Sequence, residues 1–308
     1  MTRASLQIRP RPPFRLDLTV WALRRLPHNL IDQWDGKTYK RVFVVDNAPL
    51  LAEVTQEGPA QKPRLSVFAS RSRIAPEERT KRAIASLLRK VLGTSEDLHG
   101  FYQLTRKNAK VNLLADSFIG LKPPRFPSIF EALINALACQ QLSLAVGITL
   151  LNRLSEAYGA SIKDRGELVH AFPGPEDLVR ARVSDLRELG FSSNKALAIT
   201  ALAQSVLRNE VDLEGLAGMN DQEAVDELRK IRGVGRWSAE YVLLRGLRRL
   251  AVFPGDDVGA QNNIQRFLSL REKPDYESVQ RIMLRWKPYG GFVYFHFLLQ
   301  KLRVKGLL

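Results

Sequence analysis

The chain has 308 residues, of which 45% are hydrophobic, so it is long and apolar enough for two or three globular domains and is not a disordered tail. Its 47 Lys and Arg outnumber its 32 Asp and Glu, which gives a formal net charge of +15 at pH 7. This excess favours a polyanionic partner such as nucleic acid, although a basic protein without such a partner has the same charge balance.

The single cysteine, Cys139, excludes an internal disulfide, a zinc site with several cysteine ligands and an iron–sulfur cluster. The four histidines share no metal-ligand spacing. The first 14 residues lack the apolar core of a signal peptide, and no run of about 18 apolar residues predicts a membrane span. We therefore expect a cytoplasmic protein, associated with the nucleoid in a bacterium, that uses no metal and no cofactor.

The N-terminal third is predicted to be an antiparallel β-domain. Apolar and polar residues alternate in FRLDLTV, residues 14–20, which predicts a half-buried strand. Residues 39–45, 50–56 and 64–70 predict further strands, so that the sheet has about four or five. Apolar residues at helical spacing predict a helix over residues 76–92 that covers the sheet.

A proline-rich segment, GLKPPRFPS at residues 120–128, predicts a non-helical linker. Only helices are predicted after it, and Ser128 with Glu131 forms a capping box at the start of the first one. The predicted fold class is α+β. An N-terminal antiparallel β-sheet domain with a covering helix occupies residues 1–120, and an all-α region occupies residues 121–308.

A glycine hairpin, Gly233-Val234-Gly235, joins two predicted helices. Two glycines allow a sharp turn with positive φ, while Val234 anchors the turn in the core. The next helix begins near Arg236, so its free N–H groups can bind a phosphate. Arg236 can add charge and Ser238 can add a hydroxyl or amide contact. An ordinary turn without a ligand is the simpler interpretation.

Two adjacent glutamines, Gln140 and Gln141, lie between the first two of these helices. A polar helix junction with Ser143 as N-cap explains them most simply. The functional alternative is a loop that enters a DNA duplex, because glutamine has the length and the hydrogen-bonding groups to fill the gap left by an extruded base.

Trp237 and Tyr241 are four residues apart on the helix after the hairpin, so they share a face. Such a pair is typical of a core, and a wall on which a base stacks is the alternative. Asp257 follows a Pro-Gly break and is predicted to be the N-cap of the next helix, where N–H groups and the helix dipole favour a carboxylate anion. That anion can stabilise a forming cation or orient a water, whereas a simple capping role is the alternative.

The sequence IRGVGRWSAEYVLLRG followed by FPGDD resembles the helix–hairpin–helix DNA glycosylases, and within them most closely the 3-methyladenine DNA glycosylase II (AlkA-like) family. The resemblance covers most of the chain, including FPSIFEALINALACQQLS and RWKPYGGFVYFHF. It implies a helix–hairpin–helix glycosylase domain with the hairpin at residues 228–241 and a catalytic Asp loop at residues 253–259. It also implies the small β-domain that precedes the helices.

The resemblance assigns roles by position. It makes Asp257 the catalytic aspartate and places Trp237 and Tyr241 in the base pocket. It puts Gln141 where a side chain enters the duplex, with Gln140 beside it. The hairpin residues that it assigns to DNA binding are Gly233, Val234, Gly235, Arg236 and Ser238. The chain departs from the family at Gly290, where a basic residue is common, and at Phe297 and Leu298, where some members carry a tryptophan.

The implied function is that of a monofunctional DNA glycosylase, acting as a monomer on double-stranded DNA with damaged bases. It flips out an alkylated purine of the 3-methyladenine or 7-methylguanine type and hydrolyses the N-glycosidic bond in base excision repair, which leaves an abasic site. Trp237 occupies the position of the lysine nucleophile of bifunctional relatives. The alternatives are a non-catalytic helix–hairpin–helix DNA-binding protein and a glycosylase for deaminated or oxidised bases.

Overall fold

The computed structural model describes residues 2–71 and 77–308. Five antiparallel strands form the N-terminal sheet: β1 (Thr2–Ile8), β2 (Gln33–Trp34), β3 (Thr38–Val45), β4 (Ala48–Glu57) and β5 (Arg64–Arg71). Their order in the sheet is β1-β5-β4-β3-β2. Val67 in β5 is paired with Leu6 of β1 and with Val54 of β4, which places an apolar row across the sheet. The predicted antiparallel sheet is therefore confirmed.

The strand predicted at residues 14–20 is wrong, because this segment is the helix α1 (Leu16–Arg24). Residues on nearly every side of α1 are buried, among them Leu16, Leu18, Val20 and Leu23. A helix buried all round has no polar face, so its apolar residues can mimic the two-residue period of a strand. The strand that completes the sheet, β1, lies earlier in the chain.

The helix predicted to cover the sheet is α2 (Glu77–Leu92), and Pro76, its predicted first residue, lies outside the described residues. Ile84, Leu88 and Val91 of α2 are buried in the same apolar cluster as the inner face of the sheet. The next helices are α3 (His99–Thr105) and α4 (Ala109–Asp116). They pack in a second cluster with the C-terminal helix.

The helical region that follows is α5 (Ile129–Cys139), α6 (Leu144–Tyr158), α7 (Pro175–Leu178), α8 (Val183–Glu188), α9 (Ser193–Leu207), α10 (Asp221–Arg229), α11 (Arg236–Arg245), α12 (Val258–Leu268), α13 (Tyr276–Met283) and α14 (Gly290–Val304). Short 3₁₀ turns cover Gly215–Gly218 and Leu284–Trp286. The predicted α+β class is confirmed.

One small hairpin breaks the predicted all-α region. It consists of β6 (Ser161–Asp164) and β7 (Glu167–His170), joined at Arg165 and Gly166, which both have positive φ. Ile162 packs on Val42 and Leu51 of the sheet, and the Asp164 carboxylate pairs with Lys40. Strands of four residues are too short to give a clear period, and their stability comes from this contact with the sheet.

A buried ion network joins the sheet to α5. Arg41 Nη1 donates to Asp32 at 2.8 Å, and its Nη2 donates to Glu131 Oε2 at 2.6 Å. Ser128 caps α5 as predicted, since its hydroxyl accepts from the Glu131 N–H. The Glu131 carboxylate bonds Arg41 instead of completing the predicted capping box.

The two large apolar clusters each contain residues from both sides of residue 120, so the predicted domains, 1–120 and 121–308, share their cores. Phe14 packs in one cluster with Phe126, and Leu18 packs in the other with Phe292. Within the described ranges, no helix has the length and hydropathy needed to cross a membrane.

Candidate active site

The hairpin between α10 and α11 depends on one glycine for its shape. Gly233 has φ +80°, and a Cβ there would lie 3.1 Å from the Cβ of Ala198 and 3.3 Å from Leu137. Val234 is buried, as predicted. Gly235 has an ordinary φ of −94°, so the positive φ expected at both glycines is wrong for this one. A Cβ on Gly235 would meet no atom of the described chain within 4 Å, so the space beside it is open to a ligand.

The first turn of α11 presents free backbone donors beside this open space. The helix begins at Arg236, and its first main-chain bond runs from the Ala239 N–H to the Gly235 carbonyl at 3.0 Å. The N–H groups of Arg236, Trp237 and Ser238 precede that bond, so they have no carbonyl one turn earlier in the helix. They form a site for an anion such as a phosphate oxygen.

Hydrogen bonds from the Gln140 side chain join the loop between α5 and α6 to the hairpin. Its Nε2 donates to the Gly233 carbonyl at 2.8 Å and to the Ser238 hydroxyl at 2.7 Å. The Lys195 ammonium donates to the Gln140 carbonyl at 2.7 Å. The predicted entry of the Gln140 side chain into a duplex does not fit these bonds. The predicted hydroxyl contact of Ser238 does not fit either, because its side chain is buried against Gln140.

Gln141 lies at the tip of that loop, where it is exposed and has a φ of +54°. Ser143 is the N-cap of α6, since its hydroxyl accepts from the Val146 N–H at 3.3 Å. A groove of about 840 Å³ runs from Gln141 past the hairpin to Asp257. The predicted DNA-binding residues that line it are Gln140, Gln141, Gly233, Gly235, Arg236 and Ser238.

Arg236 faces this groove as one half of an ion pair. Its Nε donates to Asp256 Oδ2 at 2.8 Å, and its guanidinium carbon lies 3.6 Å from the centre of the Tyr276 ring. Asp256, the residue before Asp257, therefore holds the side chain of the first residue of α11. The charge that Arg236 offers to a ligand is shared with this carboxylate.

Asp257 is held by three donors at the start of α12. Its Oδ1 accepts from the Ala260 N–H at 2.8 Å, which is the predicted N-cap bond. Its Oδ2 accepts from the indole Nε1 of Trp237 at 3.3 Å and from the hydroxyl of Tyr294 at 3.1 Å. Burial, followed by the Asp257 charge, raises the pKa of Tyr294 well above its usual range, so the phenol keeps its proton and donates.

A cavity of about 450 Å³ opens beside Asp257 and has the size of a small-molecule site. Trp237 and Tyr241 form part of its wall, with ring centroids 5.4 Å apart and planes tilted by 30°. The aromatic residues of α14 that join them are Tyr294 and Phe297, and Leu298 of the same helix also lines the cavity. Among the described residues, no group of three His, Cys, Asp or Glu side chains could hold a metal ion.

A family model described as HhH-GPD superfamily base excision DNA repair protein matches residues 134–288, about half of the chain. The match contains the hairpin, Asp257 and the Gln140 loop. The chain belongs to the HhH-GPD superfamily. The predicted recognition of a helix–hairpin–helix glycosylase is confirmed.

Several relatives of this HhH-GPD chain are named as 3-methyladenine DNA glycosylases. A DNA-3-methyladenine glycosylase of Bacillus subtilis is 32% identical over 222 residues, which is 72% of this chain and 73% of the relative. DNA-3-methyladenine glycosylase 2 of Escherichia coli is 29% identical over 61% of this chain and 64% of its own length. The solved 3-methyladenine DNA glycosylase of Archaeoglobus fulgidus has a TM-score of 0.81 at 26% identity, and the match covers 96% of this chain and 97% of that one.

The loop of this HhH-GPD chain that precedes Asp257 is anchored by a residue that the sequence analysis missed. Glu240 is buried on α11, where its Oε2 accepts from the Gly255 N–H at 3.1 Å and its Oε1 accepts from the Tyr276 hydroxyl at 2.6 Å. Gln261 Nε2 donates to the Gly255 carbonyl at 2.8 Å. Burial raises the pKa of Glu240 to about 7. Both polar groups of the Gly255 backbone are thus bound by side chains.

Two more residues of the site were missed. Tyr294 had a usable signal, because Tyr294, Phe297, Leu298 and Lys301 have helical spacing and all line the cavity. Arg25 had none, because it follows α1 and reaches Tyr241 across 216 positions of sequence. Its contacts depend entirely on the tertiary structure.

Proposed function

We propose that this chain is a monofunctional DNA glycosylase that excises alkylated purines, of the 3-methyladenine or 7-methylguanine type, from double-stranded DNA and leaves an abasic site. One observation carries the proposal: Asp257 is held by Trp237 and Tyr294 at the wall of an aromatic cavity that opens beside the hairpin. The names of the relatives favour the same activity.

DNA would be bound through its backbone at the hairpin. The N–H groups at the start of α11 suit a phosphate, and such a contact is independent of base sequence. Gln141 is the side chain that enters the duplex, because it is exposed at the loop tip, whereas Gln140 holds that loop in place. The net charge of +15 supplies long-range attraction to the polyanion, and one copy of the chain suffices to bind one duplex.

The extruded base would enter the cavity and stack on Trp237. Alkylated purines of this type are cationic, and stacking of a cation on an indole is worth about 0.5–2 kcal/mol. A cationic purine is already a good leaving group, so the reaction needs little general-acid help. The chemical task that remains is to stabilise the positive charge that develops on the sugar.

Asp257 would perform that task. Asp257 lines the cavity, and the two side-chain donors to its Oδ2 fix the direction of the carboxylate. The anion stabilises the sugar cation and orients the water that attacks C1′. Trp237 has no amine with which to form a Schiff base, so hydrolysis is the expected route and strand cleavage is not.

Excision from duplexes that each contain one 7-methylguanine tests the proposal. Alkali treatment converts the abasic product into a strand break, and Asp257→Asn should lower the single-turnover rate by at least about 100-fold. Asp275→Asn is the matched control, because Asp275 is also an N-cap aspartate, accepting from the Ser278 N–H, but lies outside the cavity. Full activity of Asp257→Asn would refute the site, and no base release by the wild type would refute the activity.

Borohydride trapping tests the monofunctional mechanism separately. A Schiff base between the protein and the abasic sugar would be reduced to a stable covalent adduct. We expect no adduct under conditions in which base release is complete. A trapped protein–DNA adduct would show that an amine of this chain attacks the sugar.

A further inference from the structure

One residue that lines the cavity is a buried cation whose hydrogen-bond partners are neutral. Arg25 is only 5% exposed and lines the cavity together with Tyr241. Its Nη1 donates to the Tyr241 hydroxyl at 2.9 Å, and its Nη2 donates to Oδ1 of Asn135 at 2.6 Å. The Glu131 carboxylate acts on this guanidinium electrostatically, but no carboxylate of residues 2–71 and 77–308 forms an ion pair with it. Burying a guanidinium without such a pair is costly, which points to a role beyond packing.

The bond from Arg25 decides how the Tyr241 hydroxyl can be used. A guanidinium has only donors, so the Tyr241 oxygen must accept in this pair. Within residues 2–71 and 77–308, this is the one hydrogen bond of that hydroxyl, whose own hydrogen stays available to an occupant of the cavity. Burial raises the pKa of Tyr241, so the phenol keeps this hydrogen at neutral pH.

The ring of Tyr241 already faces a second buried cation. The guanidinium carbon of Arg245 lies 5.7 Å from the ring centroid, and Arg245 is completely buried. A cation near the ring competes for the electron density that would attract a cationic base. Tyr241 therefore offers an extruded base its hydroxyl, and stacking is left to Trp237.

We propose that Tyr241, oriented and polarised by Arg25, donates a hydrogen bond to an acceptor atom of the extruded purine and so sets the rate at which a neutral purine is excised relative to a cationic one, an inference that rests on the proposed function. Tyr241 is then a specificity-determining residue, and Arg25 is a positioning residue that acts through it. The ligand chemistry is that of a purine with a ring nitrogen or exocyclic oxygen directed at the phenol.

The leaving groups of the two substrate classes differ in charge. When the bond from C1′ to the purine nitrogen breaks, both electrons stay with the purine. A cationic alkylpurine leaves as a neutral base, whereas a neutral purine leaves as an anion. Water adds to C1′ and releases one proton to solvent, and the purine anion takes one proton from solvent. A donor backed by a cation stabilises the anion far more than the neutral base.

Single-turnover excision of hypoxanthine and of 7-methylguanine from the same duplex sequence measures this difference. Tyr241→Phe keeps the ring and removes the hydroxyl, so the ratio of the hypoxanthine rate to the 7-methylguanine rate should fall by about tenfold or more. Arg25→Met should lower the ratio in the same direction. The double variant should lower it no further than Tyr241→Phe, because both changes remove the same hydrogen bond.

Tyr102→Phe is the matched control. The Tyr102 hydroxyl accepts from the Gly120 N–H at 3.3 Å, away from the cavity. The Tyr102→Phe variant loses one hydrogen bond, as Tyr241→Phe does, but its ratio of the hypoxanthine rate to the 7-methylguanine rate should equal that of the wild type. Melting temperatures are measured for every variant, and Arg25→Gln replaces Arg25→Met if the latter does not fold.

The outcomes separate the two proposals. Equal rate losses on both bases in Tyr241→Phe would overturn the inference, as would fully additive effects of the two substitutions on the ratio. A wild type that releases 7-methylguanine but no hypoxanthine also overturns it and leaves the proposed function intact. A wild type that releases neither base overturns the proposed function itself.

Discussion

The indole of Trp237 and the carboxylate of Asp257 are joined by a hydrogen bond, from Nε1 to Oδ2 at 3.3 Å. The aromatic wall of the cavity is therefore also a support for the charged group that we propose to be catalytic. The hydroxyl of Tyr294 donates to the same oxygen at 3.1 Å. Two donors on one oxygen restrict the rotation of the carboxylate, so its direction is set before a substrate arrives.

Removing either donor should slow base release. We expect Trp237→Phe and Tyr294→Phe each to lower the single-turnover excision rate of 7-methylguanine by roughly tenfold, because a misdirected carboxylate stabilises the sugar cation less. Trp237→Phe also changes the stacking surface, so Tyr294→Phe is the cleaner test. Binding to a duplex with an abasic-site analogue, measured in parallel, should change less than threefold for Tyr294→Phe. Wild-type excision rates in Tyr294→Phe would contradict the proposed orientation of Asp257.

The two hairpin glycines should respond differently to alanine. Gly235→Ala places a Cβ in space that is open in the free protein, so stability should change by less than about 0.5 kcal/mol while DNA affinity falls by roughly tenfold. Gly233→Ala forces alanine into φ +80°, so it should destabilise the fold by about 1–2 kcal/mol. Urea unfolding measures the stability of each variant, and binding titrations at one salt concentration measure its affinity for DNA. Normal DNA affinity in Gly235→Ala would argue against backbone contact at this turn.

Glu240 should make the protein less stable as the pH rises from about 4.5 to about 7. Burial raises its pKa to about 7 from 4.5, so in this range the folded protein binds a proton that the unfolded chain lacks. The stabilisation is complete below pH 4.5 and is lost as the pH rises through 7. Glu240→Gln should remove this decline, which we expect to be roughly 1–3 kcal/mol between pH 5 and pH 8. If the free energy of unfolding falls equally with pH in the variant and in the wild type, Glu240 does not titrate in this range.

His296 should act in the opposite direction over nearly the same range. Burial lowers its pKa to about 4 from 6.5, and its Nε2 is one of the buried atoms without a hydrogen-bond partner in the described part of the chain. The unfolded chain binds a proton first as the pH falls, so stability is complete above pH 6.5 and is lost toward pH 4. His296→Leu should reduce that acid loss by roughly 1–3 kcal/mol in urea unfolding at pH 4.5 relative to pH 7. If His296→Leu loses as much stability between pH 7 and pH 4.5 as the wild type does, His296 is not buried as a neutral imidazole.

The junction between the sheet and α5 should depend on Arg41. Arg41→Met leaves the buried carboxylates of Asp32 and Glu131 without their cation, so the free energy of unfolding should fall by about 3–5 kcal/mol. Arg79→Met is the control, because Arg79 pairs with Asp46 at the surface and should contribute less than about 1 kcal/mol. Equal losses in the two variants would mean that burial adds nothing to the Arg41 network.

The parts of the site that the sequence could predict are those determined by near neighbours in the chain. The cap of α12 depends on Asp257 and Ala260, three residues apart, and the turn depends on the conformation open to Gly233. The face shared by Trp237 and Tyr241 follows from their spacing of four. Each of these features was predicted because it needs only a few consecutive residues.

The parts that could not be predicted depend on distant pairs or on burial. Arg25 meets Tyr241, and Gln140 meets Gly233, across 216 and 93 positions. No local pattern specifies such pairs. The sequence predicts a strand in place of α1, because burial on nearly all sides removes the polar face that identifies a helix. The bond between Gln140 and Ser238 could not be predicted either, because a buried hydroxyl and an exposed one look alike in sequence.

The two bonds from Gln140 to the hairpin have a consequence for the substrate. They hold Gln141, the next residue, at a fixed distance from the amides of α11. If Gln141 displaces the base while those amides hold a phosphate, the number of nucleotides between the displaced base and that phosphate is constant. A lesion closer to a strand terminus than that number would offer the hairpin no phosphate. Damage beside a nick or a duplex end would then persist until ligation or synthesis restored the missing nucleotides.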